Sequence, residues 1–326
     1  MNETKTVLIS GASTGIGEAT SLALAERGFR VIAGVRQRRD GERLERSAKG
    51  SLTAVRLDIT DADSIASVRS LLEPLVGESG LWGLFNNAGT SVSGPLEFTT
   101  LERIRFQFET NVFGQIALTQ AMLPMLRKAR GRIVNNTSMT GKVAIPMSAP
   151  YAASKHALEA ISDALRIEVA HQGIQVSVIE AGAIATPIWS KGLDQFWDEF
   201  KALGPTAHTL YQRLFEQVHY SGRFHALHAV DASHAVDAVY HALTAPRPRT
   251  RYVVGPDARL LLAMKWLLPD RWMDRAFHTM SKHQASRYKR LHPSPANDND
   301  NANLRAASAP VVTALTGDRP RRAQNS

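Results

Sequence analysis

The chain has 326 residues, 44% hydrophobic and 21% charged, with no cysteine. That length and apolar share suffice for a large buried core, which excludes a chain disordered throughout. The absence of cysteine excludes a disulfide framework, a thiolate nucleophile and any cysteine-bound zinc or iron–sulfur cluster, and no metal site is expected. The formal charge of +9 is unevenly spread: Ser281 to Ser326 carry eight basic against three acidic side chains, a net +5. The excess therefore reads as a solvated basic end, and nucleic acid is not an expected partner.

In chain order, residues 1–5 lead straight into an apolar strand at Val7–Ile9, without the charged-then-apolar pattern of a signal peptide. No apolar run reaches the roughly 18 residues of a membrane span, so a cytoplasmic protein is expected. Strand patterns fall at Thr6–Ser10, Arg30–Val35, Thr53–Leu57, Gly83–Asn86, Arg132–Asn136, Ile174–Ile179 and Arg251–Val254. Helical periods fall around Gly17–Arg27, Ser64–Val76, Leu101–Arg130 and Ala153–His171. Strand and helix in alternation predict an α/β fold, a Rossmann-like doubly wound parallel sheet with helices on both faces.

A single catalytic domain is expected over residues 1–258. Within it, residues 187–228 are rich in aromatics (Trp189, Phe196, Trp197, Phe200, Tyr211, Phe215) and read equally as a substrate-binding lid or as a packed helical subdomain. Residues 259–291 form an amphipathic helical segment. Its apolar run Leu260–Leu268 is too short to cross a bilayer, and a core or dimer-facing helix is its commoner explanation. Flanking Trp and Arg also suit an interfacial helix, so peripheral membrane contact through 260–280 is kept as an expectation. Residues 292–326 turn to Pro, Asn, Asp, Ala and Ser and are expected to be a disordered basic tail.

Directly after the first strand comes Gly11-Ala12-Ser13-Thr14-Gly15-Ile16-Gly17, opening a helix. Glycines allow a tight turn that presents backbone N–H groups to a pyrophosphate at the positive end of a helix. Strand, glycines and helix together point to a dinucleotide site. At the end of the second strand an acidic residue would hold a ribose 2′-hydroxyl, yet none appears before Asp40. Arg36 stands there instead, with Arg38 or Arg39 to assist, so NADP(H) is favoured over NAD(H).

Tyr151 has Lys155 four residues on, one turn away on the same helix face. A neighbouring cation is expected to lower the phenol's pKa toward a working range. Ser138 follows the strand Arg132–Asn136, at the carboxyl edge where such sheets carry chemistry.

With these residues in place, the chain resembles the classical short-chain dehydrogenase/reductase family, closely from Lys5 to Ile188 and more weakly to Met280. The glycine motif is matched by Gly11, Ser13, Gly15, Ile16 and Gly17, the adenine contact by Asp58, and the Asn-Asn-Ala-Gly turn by Asn86, Asn87, Ala88 and Gly89. The tetrad is matched by Asn111, Ser138, Tyr151 and Lys155, and the carboxamide contact by Thr186. The resemblance implies hydride transfer at a carbon with Tyr151 as general acid or base and Ser138 orienting the carbonyl. It further implies that Lys155 holds the nicotinamide ribose and Asn111 keeps a relay water. One departure stands out: Ala181-Gly182 replaces the usual Pro-Gly before Thr186. Within the family the chain is similar to the hydroxysteroid and retinol dehydrogenase branch, which implies a small apolar alcohol or carbonyl substrate. Two alternatives remain, a 3-oxoacyl-thioester reductase and, from another class, an NADP-sensing binding protein. The helices over Leu101–Arg130 and Ala153–His171 resemble those that pair subunits in this family, implying a homodimer or homotetramer.

Overall fold

The computed structural model describes residues 4–292, except the side chains of residues 188–191. The expected tail beyond residue 292, and the side chain of Trp189, lie outside the described residues.

Seven strands form one sheet in the order β3-β2-β1-β4-β5-β6-β7, and every pairing is parallel. They are β1 (Thr6–Ile9), β2 (Arg30–Val35), β3 (Leu52–Arg56), β4 (Gly83–Asn86), β5 (Arg132–Asn136), β6 (Gln175–Ala181) and β7 (Arg251–Val254). Successive strand residues face opposite sides. Val7, Ile9, Val31 and Phe85 enter one core with Leu24, Val239 and Leu243, while Leu8, Ile32 and Leu84 enter the other with Leu72, Leu118 and Met122. With both faces covered, the strands read as continuous apolar runs rather than as alternation.

The crossover helices are α1 (Gly15–Glu26), α2 (Arg38–Ser47), α3 (Ala62–Val76), α4 (Leu101–Phe108), α5 (Gly114–Ala129), α6 (Ala149–Ala170), α7 (Pro187–Lys201), α8 (Pro205–Leu227) and α9 (Ser233–Thr244). After β7 the chain adds α10 (Pro256–Leu267) and α11 (Asp270–Leu291). The strand order reverses between β1 and β4, and the crevice at their carboxyl ends is where sheets of this type receive ligands.

Three elements differ from the sequence expectation. Helix α2 buries only Gly41 and Leu44 in a stretch of charges, so no apolar stripe announces it. The single helix expected over Leu101–Arg130 is two helices joined by a π turn at Glu109–Phe113. Helix α6 begins at Ala149, with Pro150 in its first turn, which brings Tyr151 inside the helix start.

The aromatic segment packs mainly on itself. Phe196, Phe200 and Phe215 are buried with Met147, and Trp197, Leu203, Tyr211 and Val218 close around them. The Phe200 and Phe215 rings stack with centroids 3.8 Å apart. These contacts make it a packed helical unit, which a substrate-binding lid can also be.

Candidate active site

The glycines of the first loop are required by contacts within the protein. At Gly11, with φ +64°, a Cβ would stand 2.6 Å from the Ala88 Cα; at Gly17 it would stand 2.3 Å from the Gly11 carbonyl and 2.5 Å from Asn87 Nδ2. The loop thus lies flat against the turn after β4. Asn87 fastens it there, its Nδ2 donating to the carbonyls of Ser10 (3.2 Å) and Gly11 (2.9 Å) while its Oδ1 accepts from Asn136 Nδ2 at 2.9 Å. The Asn87 side chain thus holds three strand ends together. Ser13 offers its carbonyl to Arg43 at 2.7 Å, and Arg43 also pairs with Glu18 on α1.

Thr14 caps α1 without a side-chain hydrogen bond, so that side chain satisfies none of the first-turn N–H groups, Ile16 among them. Across the crevice stands Thr186, whose side chain a Cβ on Gly15 would approach to 3.3 Å. At the far end, Arg36 is exposed just past β2. Asp58 lies near it: hydrogen bonding from Thr60 draws its carboxyl below the usual range, and the charges of Arg36 and Arg56 add to that. Arg38 is occupied by Glu42 at 2.7 Å. A helix start without a side-chain cap from Thr14, a loop with glycine at three positions and an arginine at the second strand end fit a phosphorylated dinucleotide.

Ser138, Tyr151 and Lys155, the candidate reacting groups, gather at the carboxyl ends of β5 and β6. Ser138, Thr140 and Lys155 are buried. Burial pushes the Tyr151 phenol above its ordinary range, and the hydroxyls of Ser138 and Thr140 beside it draw it part of the way back. This direction corrects the expectation that Lys155 would lower it. The lysine is itself buried, which lowers its pKa to about 8, with the Glu159 carboxylate opposing the fall. Low polarity penalises both charged forms, so neither gains freely from the other. Lys155 Nζ donates to the Asn136 carbonyl at 2.7 Å and lies 5.8 Å from the Tyr151 ring centre, so the pair does face one space.

Asn111 sits in the π turn, a feature often found at functional sites. Its Oδ1 accepts from the Thr90 N–H at 2.8 Å, and its Nδ2 donates to the Thr90 carbonyl at 3.0 Å and Ser154 Oγ at 3.2 Å. It therefore ties the segment after Gly89 to the helix carrying Tyr151.

Three site residues escaped the sequence reading. Thr140 Oγ1 is buried without a hydrogen-bond partner of standard geometry among the described residues; a third hydroxyl so near Ser138 was the available signal. Asp257 accepts from the Ala183 N–H at 2.7 Å, and a Cβ on Gly182 would meet its Oδ1 at 2.3 Å. This carboxylate anchors the loop whose proline is missing. Glu159, one turn beyond Lys155, is the third. Next to the Ser138 turn, Met139 and Val143 meet Leu261, Leu262, Met264 and Met273 of α10 and α11, an apolar wall.

The family model for short chain dehydrogenase matches residues 5–195. The chain is a short-chain dehydrogenase. It is 37% identical over 283 residues to retinol dehydrogenase 5 from Homo sapiens, covering 82% of this chain and 86% of that one. It is likewise 37% identical over 272 residues to 17-beta-hydroxysteroid dehydrogenase type 6 from Bos taurus, covering 81% and 85%. Among solved structures, a short chain dehydrogenase from Burkholderia cenocepacia in complex with NADP superposes with a TM-score of 0.61 at 26% identity, covering 84% of this chain and 97% of that one. This short-chain dehydrogenase accordingly falls in the retinol and hydroxysteroid dehydrogenase branch and is an NAD(P)-dependent oxidoreductase.

Proposed function

We propose that the protein interconverts an alcohol and a ketone or aldehyde on an apolar, steroid-, retinoid- or lipid-like substrate, with NADP(H) preferred to NAD(H). The observation that carries this reading is the convergence of the Ser138, Thr140 and Tyr151 hydroxyls over a buried Lys155, next to an apolar wall.

The dinucleotide would lie along Gly11–Gly17, with Asp58 toward the adenine, Arg36 toward the 2′-phosphate, Asn87, Ala88 and Gly89 along its middle and Thr186 toward the carboxamide. When bound, the nicotinamide supplies or accepts the hydride at the substrate carbon. Ser138 orients the substrate oxygen, Tyr151 delivers or removes the proton there, and Lys155, held by the Asn136 carbonyl, presents its charge to the ribose. Asn111, in the π turn, would keep a relay water.

Two surfaces bear on partners. Phe106, Phe113 and Ile167 on the α4–α6 face are 52%, 53% and 73% exposed, which supports pairing of two copies there. Leu260, Trp266, Leu267 and Trp272 are exposed on α10 and α11, interleaved with Arg259, Lys265, Arg271 and Arg275, which supports peripheral contact with an anionic membrane surface. Among the described residues no helix is long and apolar enough to cross a membrane.

The test is a Tyr151→Phe variant assayed on all-trans-retinal and a ketosteroid: NADPH still binds and kcat falls about 10²- to 10⁴-fold. Unchanged turnover would refute the reading. Arg36→Ala is expected to weaken NADPH about tenfold and leave NADH unaffected, measured by cofactor fluorescence.

A further inference from the structure

Glu159 has 2% of its surface exposed. A carboxylate buried so deeply persists only where donors and cations satisfy it. Its Oε1 accepts from Thr137 Oγ1 at 2.6 Å, and its Oε2 lies 3.1 Å from Lys142 Nζ and 3.1 Å from Arg251 Nη2. Arg251, on β7, also reaches Asp163 at 2.6 Å and Glu180 at 3.2 Å. Asp163 is further paired with Arg166.

The partners of this carboxylate lie on the segments that carry the chemistry. Thr137 immediately precedes Ser138, and Lys142 follows the short turn holding Thr140. Glu159 itself shares α6 with Tyr151 and Lys155. Gly141 permits the close approach, because a Cβ there would come within 3.0 Å of Glu159 Cγ and 3.2 Å of the Lys155 carbonyl. On the oxidoreductase reading of the site, we infer that Glu159 is a positioning residue, which locks the Ser138 strand end to the Tyr151–Lys155 helix and supplies the negative charge that faces Lys155.

Burial lowers the Lys155 pKa, and with the Glu159 charge working against that fall it stands at about 8. Removing the charge lets the lysine lose its proton at still lower pH. Other groups packed around the pair, namely Lys142, Arg251, Asp163, Glu180 and Tyr151, keep their places in a Glu159→Gln variant, which preserves shape.

The probe is NADPH alone, titrated by fluorescence from neutral to alkaline pH. In the unmodified protein the dissociation constant rises as Lys155 loses its charge, and a Lys155→Met control lacks that limb. Glu159→Gln should bind NADPH at neutral pH and show the limb about one pH unit lower. A purely structural carboxylate would change thermal stability and leave the limb where it was. A folded Glu159→Gln protein with an unmoved limb overturns the proposal. A limb that persists in Lys155→Met defeats instead the site reading beneath it. Should Glu159→Gln fail to fold, Glu159→Asp withdraws the charge by one methylene: a smaller shift in the same direction upholds the inference, and none overturns it.

Discussion

The half of the molecule that would hold the dinucleotide and the half that would meet substrate are built on different terms. In the first loop the close approaches are made at glycine: Gly11 and Gly17 exist because backbone stands within 2.6 Å of where a Cβ would be, and the Asn87 side chain stitches the strand ends with three hydrogen bonds. In α7 and α8 the space is filled by stacked rings around a buried His219, with Trp197 at 4.7 Å between ring centres. The first arrangement depends on hard-sphere limits and tolerates no added atom. The second depends on interchangeable apolar bulk, which can be reshaped for different substrates while the fold persists.

That contrast can be broken most sharply at Gly11. A Gly11→Ala variant adds a clash with the Ala88 backbone to a left-handed φ, so a loss of about 3 kcal/mol of stability is expected, with NADPH binding lost in a fluorescence titration. The aromatics of α7 and α8 should be untouched, as near-ultraviolet circular dichroism would show.

Acid is the corresponding probe of the other half. Burial, reinforced by Arg223, lowers His219 to about 3. Its folded pKa lies below the unfolded value of 6.5, so the unfolded chain binds more protons in between. Stability is full above pH 6.5 and is lost as pH falls, at roughly 1.4 kcal/mol per pH unit in this window. Trp197 fluorescence should therefore report loosening of α7 and α8 on acidification, and His219→Phe should remove most of the slope.

The smallest expected effect sharpens the comparison at the surface. Trp266 is 85% exposed, so Trp266→Ala should leave thermal stability within about 0.5 kcal/mol. Sedimentation with anionic phosphatidylserine vesicles should nevertheless fall clearly. Retention equal to that of the unmodified protein would remove the membrane-surface proposal.

What the sequence by itself determined is the part governed by short-range rules. Period-two and period-3.6 patterns, a glycine loop between strand and helix, and a Tyr–Lys pair one turn apart all express constraints within a few residues. They yielded the parallel sheet, its carboxyl-edge crevice and the positions of Ser138, Tyr151 and Lys155. Tertiary structure decided the rest. Helix α2 leaves no apolar stripe to read, and the Asn111 side chain in the π turn is held by Thr90 and Ser154, both far away in sequence. Asp257 reaches its loop from 74 residues away. The polarity around Tyr151 was likewise invisible: a lysine one turn away promises an acidic phenol in water, whereas burial raises the phenol and lowers the lysine, because desolvation depends on every segment that closes over them.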